Sequence, residues 1–129
     1  MHLIALVESP GHVCARYRLR AFEPALKQAG HTIELRAWPR KWWRRVRLGH
    51  DLRGAYAVII QRKLFPALLV RRLRRAVPRL IFDFDDAVFL RDSYSPKGLQ
   101  SARRTRRFAA IMRAANVVVA GNKFLADQA

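Results

Sequence analysis

The chain lacks the features that mark a secreted or membrane-spanning protein. Its single cysteine, Cys14, cannot form an internal disulfide, which is typical of a reducing compartment. No run approaches the roughly 20 apolar residues that cross a bilayer. The apolar start, residues 1–7, is too short for a signal peptide and has no basic region before it. We therefore expect a cytoplasmic protein.

Acidic residues are also scarce. The 129 residues include 26 lysines and arginines but only 9 aspartates and glutamates, which gives a formal net charge of +17. Because 51% of the residues are hydrophobic, this composition indicates one folded basic domain and not a disordered basic tail. The charge predicts an anionic partner: a nucleic acid, a phosphorylated ligand or an acidic lipid surface.

Glycine is missing where a dinucleotide-binding turn needs it. That turn requires G-x-G-x-x-G after the first strand, and residues 8–12 contain only Gly11, so a dehydrogenase function is excluded. Gly11 remains a candidate binding residue because glycine lets the backbone approach a ligand, although it could equally be a simple turn residue. The four histidines show no metal-ligand spacing.

The chain does contain an alternation of short apolar runs and helical patterns. The predicted strands are residues 2–7, 32–37, 55–61, 80–84 and 116–120. The predicted helices are residues 15–29, 64–76 and 99–115, followed by a last helix after residue 122. Pro24 should kink the first helix or restart it. This order predicts an α/β protein: a Rossmann-like, doubly wound parallel sheet with helices on both faces.

Two adjacent carboxylates follow the fourth predicted strand. This strand starts after Pro78, runs through an apolar stretch to Phe84, and is followed directly by Asp85 and Asp86. Ligands bind at the carboxyl ends of the strands in such sheets, so Asp85 and Asp86 are the candidate catalytic residues. Alternatively, one of them caps the following turn or pairs with Arg91.

Further candidate binding residues follow other strands or begin the first helix. They are Arg16, Tyr17, Arg18, Gln61, Arg62 and Asn122. The guanidinium groups and the free backbone N–H groups at the helix start could bind a phosphate, unless these are solvated surface arginines. Gln61 and Arg62 should face the same cleft, whereas Lys63 could point outward. Asn122 could instead cap the last helix.

A segment rich in tryptophan and arginine, residues 38–53, interrupts the alternation. Its predicted membrane-facing residues are Trp42, Trp43, Arg44, Arg45 and Arg47. Tryptophan favours the lipid–water boundary, and arginine is attracted to an anionic leaflet. We expect this face and the basic helix around residues 71–75 to bind an anionic membrane surface. The alternative is a buried tryptophan pair with a solvated basic rim.

Three blocks of the sequence resemble the N-terminal domain of GT-B glycosyltransferases, in the retaining bacterial family of group 1 glycosyl transferases. The first block is Ala15-Arg16-Tyr17-Arg18-Leu19 with the Pro, Leu and Gly-His that follow it up to residue 31. The second combines residues 58–62 with residues 82–87, and the third is residues 114–126. Together the blocks span nearly the whole chain.

The resemblance implies the acceptor-binding half of an enzyme that transfers a sugar from a nucleotide-sugar to a glycan or lipid-linked acceptor, as in the synthesis of cell-envelope polysaccharides. In this family a second, C-terminal domain binds the donor. That domain is absent from residues 1–129, so a truncated and by itself inactive chain is expected, peripheral to the inner face of the plasma membrane. The resemblance also implies that no metal and no other cofactor is permanently bound, and the nucleotide-sugar should bind the missing domain. Where relatives carry a histidine after the fourth strand, this chain departs from the pattern with Asp85 and Asp86.

Other functions stay open at this point. The +17 charge suggests a nucleic-acid-binding module, but the basic residues are spread over several helices and no reader motif is present, so no specific nucleic acid is expected. A non-catalytic acceptor-binding subunit of a two-chain transferase, or a scaffold of this fold, would also fit the sequence.

Overall fold

Strands and helices alternate along the whole chain in the computed structural model, which describes residues 1–129. The strands are β1 (His2–Val7), β2 (Thr32–Ala37), β3 (Ala57–Gln61), β4 (Leu80–Phe84) and β5 (Val117–Ala120). The helices are α1 (Val13–Arg18), α2 (Glu23–Gln28), α3 (Trp42–Asp51), α4 (Ala67–Ala76), α5 (Ala102–Ala114) and α6 (Lys123–Gln128). No helix is both long enough and apolar enough to cross a membrane.

The five strands form one sheet in the order β2-β1-β3-β4-β5, and every neighbouring pair is parallel. The predicted α/β fold with a parallel, Rossmann-like sheet is therefore confirmed. The chain turns outward from β1 to β2 on one side and returns to β3 on the other, so β1 and β3 flank the switch point where such sheets bind ligands. All carboxyl ends of the strands lie at one edge of the sheet.

The two faces of the sheet are covered unequally. The larger core joins one face to α3, α4 and α5, and its centre is an aromatic group in which Phe84 lies 5.3 Å from Phe82 and 5.5 Å from Phe108 between ring centroids. The smaller core lies under α1, where Ala15 and Leu19 pack against alternate residues of β1 and β3. This packing places α1 directly above the carboxyl ends of the two central strands.

Several boundaries differ from the sequence-based expectations. The first predicted helix is two helices separated by a 3-10 turn at Arg20–Phe22, and Pro24 lies in the first turn of α2, which confirms the predicted restart. Residues 38–53, for which no element was predicted, contain α3. The sequence did not show an apolar face here, because Leu48 is the only buried residue of this arginine-rich helix. The helix predicted from residue 99 begins at Ala102, where the Ser101 hydroxyl accepts a hydrogen bond from the Arg104 N–H.

Candidate functional site

The carboxyl edge of the sheet brings together five of the nine predicted catalytic and binding residues. Gln61 ends β3, and Arg62 follows it. Asp85 and Asp86 come directly after β4, which is the neighbour of β3 in the sheet. Arg18 reaches the same edge from the last turn of α1. One arginine of the first helix and the two aspartates thus lie at the same edge of the sheet, and their joint role in binding a ligand stays a prediction.

A largely buried ion pair, Arg18 with Asp83, lies at this edge of the sheet. Asp83 is only 4% exposed, lies directly opposite Gln61 in the sheet register, and receives hydrogen bonds from Arg18 Nε at 3.2 and 3.1 Å. Gln61 Nε2 donates to the same carboxylate at 3.0 Å. The hydrogen bonds to Asp83 raise the pKa of Arg18 more than its partial burial lowers it. Arg18 is thus committed to an internal partner, and its binding of phosphate stays a prediction.

Asp83 was not among the predicted site residues because it lies inside an apolar run. Its flanking residues Phe82 and Phe84 point into the large core, and the alternation of a strand turns Asp83 to the opposite face, toward α1. The sequence did carry a signal: a carboxylate in a buried strand needs a cationic or hydrogen-bonding partner. The sequence could not show that Arg18 is this partner, because 65 residues separate the two.

Arg62 connects the acidic pair to α1. Its Nε lies 3.4 Å from Asp85 Oδ1, its Nη2 lies 3.4 Å from Asp86 Oδ2, and its Nη1 lies 3.1 Å from the sulfur of Cys14. Although burial works against its charge, the interactions with Cys14, Asp85 and Asp86 together raise the pKa of Arg62. Arg62 also has a φ of 61°, which is uncommon for a residue other than glycine. Such strain is often found at functional sites.

The two adjacent aspartates have different surroundings. The side chain of Asp85 is 28% exposed, and its Oδ1 is covered from solvent and accepts no hydrogen bond, although the charge of Arg62 lies nearby. The side chain of Asp86 is 69% exposed, and its Oδ1 accepts a hydrogen bond of 2.7 Å from the Ala87 N–H. Asp86 therefore caps the following turn, as one alternative predicted, and it is the carboxylate that a ligand can reach.

The predicted pairing of an aspartate with Arg91 is wrong. Both aspartates face Arg62, while Arg91 Nη1 donates to the Lys97 carbonyl at 2.8 Å and helps to close the loop after β4. The aspartates pair with Arg62 because Arg62 directly follows β3, the strand beside β4, at the same edge of the sheet.

Gly121 is a second residue that the sequence did not mark as part of the site. A Cβ on this residue would lie 2.8 Å from Asp85 Cα and 3.0 Å from Asp85 Cβ, which is closer than real Cβ contacts. The same position is 3.5 Å from Arg18 Nη1. A glycine at the end of β5 is therefore required for the loop that carries Asp85 to lie against it.

The remaining predicted binding residues form no hydrogen bond or ion pair with Asp85 or Asp86. Gly11 is exposed, and a Cβ there would meet only Ser9 Oγ at 3.8 Å, so the fold itself does not require glycine. Arg16 and Tyr17 are exposed on α1, with the guanidinium carbon 6.0 Å from the ring centroid. Asn122 Oδ1 accepts a hydrogen bond of 2.9 Å from the Leu125 N–H, which confirms that it caps α6. Binding of a ligand by these residues stays a prediction.

An open cavity of about 1050 Å³ begins at Asp86 and Arg62. Its walls are the residues after β3, the loop of residues 87–101, and the first turns of α5. Loops of this length without helix or strand are uncommon in small domains and usually functional. The sequence does not indicate this cavity, because Lys63 and Arg107 meet there only through the packing of α5 beside β4.

The predicted membrane-facing residues lie on α3. Trp42 and Trp43 are 72% and 48% exposed, so the alternative of a buried tryptophan pair is wrong. Arg44 and Arg47 are exposed as well. Arg45 is the exception, because it is half-buried and its Nε donates to the Pro39 carbonyl at 2.8 Å.

Comparison with models of known protein families gave no match, and a search of curated proteins gave none either. The structure also contains no group of three or more His, Cys, Asp or Glu side chains that could hold a metal ion. Fold and site together define a Rossmann-like α/β domain with a polar cleft at the carboxyl edge of its sheet.

Proposed function

We propose that this chain is the acceptor-binding half of a GT-B glycosyltransferase. The observation that carries the proposal is Asp86, an exposed carboxylate that opens into a cavity of about 1050 Å³ at the carboxyl edge of a parallel sheet. A cavity of this size can hold a molecule of up to several sugar rings. Carboxylates are strong acceptors of hydrogen bonds from sugar hydroxyl groups. The three blocks that resemble the family carry the residues of this edge, from Arg18 to Gly121.

In this proposal Asp86 accepts the hydrogen bond of the acceptor hydroxyl that receives the sugar. Arg62 holds the Asp86 carboxylate in place at 3.4 Å and sets its orientation together with the Ala87 N–H. Asp85 acts as a positioning residue, since its carboxylate faces Arg62 and is mostly covered. The nucleotide-sugar is bound by a second domain or subunit that faces this edge, and residues 1–129 alone transfer no sugar.

Binding of glycans tests the proposal directly. Saturation-transfer NMR with a panel of short glycans should detect one that contacts the chain, and D86N should weaken its binding by at least about 10-fold, because a hydrogen bond to a charged group is lost. D127N is a matched control, because it removes one exposed carboxylate on α6, away from the cavity. Binding that D127N weakens as much as D86N, or the absence of any glycan binding, would contradict the proposal.

The donor half can stand in the same chain or in a separate subunit. Reading the coding frame beyond residue 129 distinguishes the two forms, since only the first predicts a second Rossmann-like domain in frame. A pull-down of a separate donor subunit from the same operon would support the second form.

We further propose that the protein is cytoplasmic and peripheral on the inner face of the plasma membrane. Trp42 and Trp43 form an exposed edge-to-face pair with centroids 6.1 Å apart, beside the exposed Arg44 and Arg47. Each arginine near an anionic leaflet adds roughly 1 kcal/mol of attraction. This arrangement combines an interfacial anchor with an electrostatic one.

Liposome sedimentation tests membrane binding. The chain should sediment with vesicles that contain phosphatidylserine and much less with neutral phosphatidylcholine vesicles, and W42A/W43A should reduce the bound fraction. Y94A is the control, because Tyr94 is an aromatic residue that is 93% exposed in the loop after β4. Equal binding to neutral and anionic vesicles would rule out electrostatic docking.

A further inference from the structure

The cavity next to Asp86 carries a strong excess of positive charge. Seven basic side chains line it, against the two carboxylates Asp86 and Asp92. Its basic residues come from three separate parts of the chain: the end of β3, the loop after β4, and α5. The fold therefore concentrates positive charge here that is dispersed in the sequence.

Six of these seven cations have no acidic partner, because only Arg62 is part of an ion pair. Lys63, Arg103 and Arg107 take part in none of the ion pairs of the structure. Arg107 Nη1 donates to the Leu64 carbonyl at 3.3 Å, and Lys63 Nζ lies 5.4 Å from the centroid of Trp38. Arg91 and Arg104 also lack an acidic partner, but each donates to a carbonyl of the loop after β4 and helps to hold that loop, whereas Arg62 faces two carboxylates.

The unpaired cations lie close enough to repel one another. Burial and the charges of Arg45 and Arg107 lower the pKa of Lys63, while Glu8 opposes this shift. Burial and the charges of Arg103 and Arg45 likewise lower the pKa of Arg107. Folding thus holds together charges that disfavour each other, which is the arrangement expected of a site that a bound anion neutralises.

The start of α5 adds to this positive region. Its first turn contains Arg103 and Arg104 and no acidic residue, although the N-terminus of a helix favours negative charge. Arginines at this position destabilise the free helix end and strengthen its attraction for an anion. The geometry of the helix and the charge of the cavity therefore favour the same kind of ligand.

We propose that this cavity binds the phosphate or diphosphate group of a phosphorylated acceptor. Lys63, Arg103 and Arg107 bind the phosphoryl oxygens, and the sugar hydroxyl of the same molecule reaches Asp86, which lines the same cavity. The assignment of the sugar end rests on the proposed function, whereas the phosphoryl site stands on the basic residues alone. The volume of about 1050 Å³ exceeds the needs of a single phosphate and accommodates a diphosphate joined to a sugar.

Isothermal titration with inorganic pyrophosphate tests the phosphoryl site. The unmodified chain should bind pyrophosphate more tightly than orthophosphate or sulfate, and K63Q/R107Q should weaken this binding by at least about 10-fold. R71Q/R113Q is the matched control, because it removes two exposed arginines of α4 and α5 outside the cavity and leaves the same net charge. The control should change the affinity by less than about 2-fold, and circular dichroism should show both variants folded.

Equal losses in the two double variants would overturn the proposal, because binding would then follow net charge alone. Preference for duplex DNA over pyrophosphate at matched salt, with loss in the control variant, would also overturn it. If K63Q/R107Q does not fold, the single variant K63Q against K27Q replaces the comparison, with a loss of at least about 3-fold expected only for K63Q.

Two further arms separate the possible sources of the phosphoryl group and the two proposals. A short-chain lipid diphosphate in detergent should compete with pyrophosphate if the acceptor is lipid-linked, whereas a soluble sugar phosphate should compete if it is free. Pyrophosphate binding without any glycan binding would leave the phosphoryl site standing and contradict the proposed function. Binding of unphosphorylated glycans without pyrophosphate binding would contradict the phosphoryl site and leave the proposed function standing.

Discussion

Two regions at the same edge of the sheet differ in whether their positive charges have an acidic partner within the chain. Under α1, Arg18 donates to Asp83, a carboxylate that is 4% exposed and also bonded by Gln61. In the cavity before α5, Lys63, Arg103 and Arg107 have no acidic partner. The first region is complete within the chain, so it serves the structure of the edge. The second region has no acidic partner within the chain, and we propose that it binds an anionic ligand.

The largest loss of stability is expected from breaking the ion pair of Arg18 with Asp83. D83N should lower the free energy of unfolding by about 3 kcal/mol, because it leaves the guanidinium of Arg18 partly buried without its counter-ion. Urea unfolding measures this loss. E34Q is the control: it breaks the exposed pair of Glu34 with Arg36 and should cost no more than about 1 kcal/mol. Similar costs for the two variants would show that the Arg18–Asp83 pair is no more structural than a surface pair.

A smaller loss is expected at the contact that positions Asp85. G121A should cost about 2 kcal/mol, because the new methyl group would overlap the backbone of Asp85 and must displace it. G11A is the matched control, because a Cβ at Gly11 has ordinary contacts, and its cost should stay within about 0.5 kcal/mol. Thermal unfolding compares the two, and an equal cost would refute the close packing of β5 against the site.

Arg62 allows its structural and its binding contributions to be separated. R62G removes the strain of a φ of 61° but leaves the mostly covered Asp85 without its cation. Because these effects oppose each other, the free energy of unfolding should change by no more than about 1 kcal/mol. The same change removes the cation that holds Asp86, so glycan binding should weaken by at least about 10-fold. A stability loss as large as that of D83N would show that Arg62 serves the structure, as the Arg18–Asp83 pair does, and not the binding of a ligand.

The smallest effect is a pH dependence caused by Lys63. Its pKa is lowered in the folded state by burial and by Arg45, Arg107 and Arg103, with Glu8 opposing. Between the folded pKa and the usual lysine value of about 10.4, the unfolded chain binds more protons, so stability should rise with pH across this window. At lower pH the cost of the charged Lys63 is fully present. K63M should lack this rise, and K27M, at an exposed lysine of α2, should keep it.

Urea unfolding of the three proteins at several pH values between 8 and 10 would show the difference. The same rise in K63M as in the unmodified chain would assign the pH dependence to other groups. Saturating pyrophosphate should weaken the rise, because a bound anion restores the pKa of Lys63 toward its usual value.

The fold was predictable because it depends on local patterns. Apolar runs marked all five strands, and the order of strands and helices predicted a parallel sheet, which also placed Gln61, Arg62 and the two aspartates at one edge. The helix α3 escaped prediction because only one of its residues, Leu48, is buried among arginines and tryptophans. Here the tertiary packing, and not the periodicity, decides the structure.

The finer structure of the site depends on residues that are distant in sequence. Asp83 needs Arg18, and the basic cavity needs α5 to bring Arg103 and Arg107 beside Lys63. Nothing in a local pattern shows which of 26 basic residues will meet an acid and which will remain unpaired. The sequence predicted an anionic partner from total charge, and the structure shows which of the charges at this edge have no acidic partner within the chain.

Titration of the ¹⁵N-labelled chain with inorganic pyrophosphate, followed by NMR, tests the difference between the two regions most directly. We predict saturable shifts of the amide signals around Lys63, Arg103 and Arg107, with the signals of Arg18, Gln61 and Asp83 unchanged. Weak, unsaturated shifts spread over the arginines of α3, α4 and α5, or shifts centred on Arg18, would contradict the account.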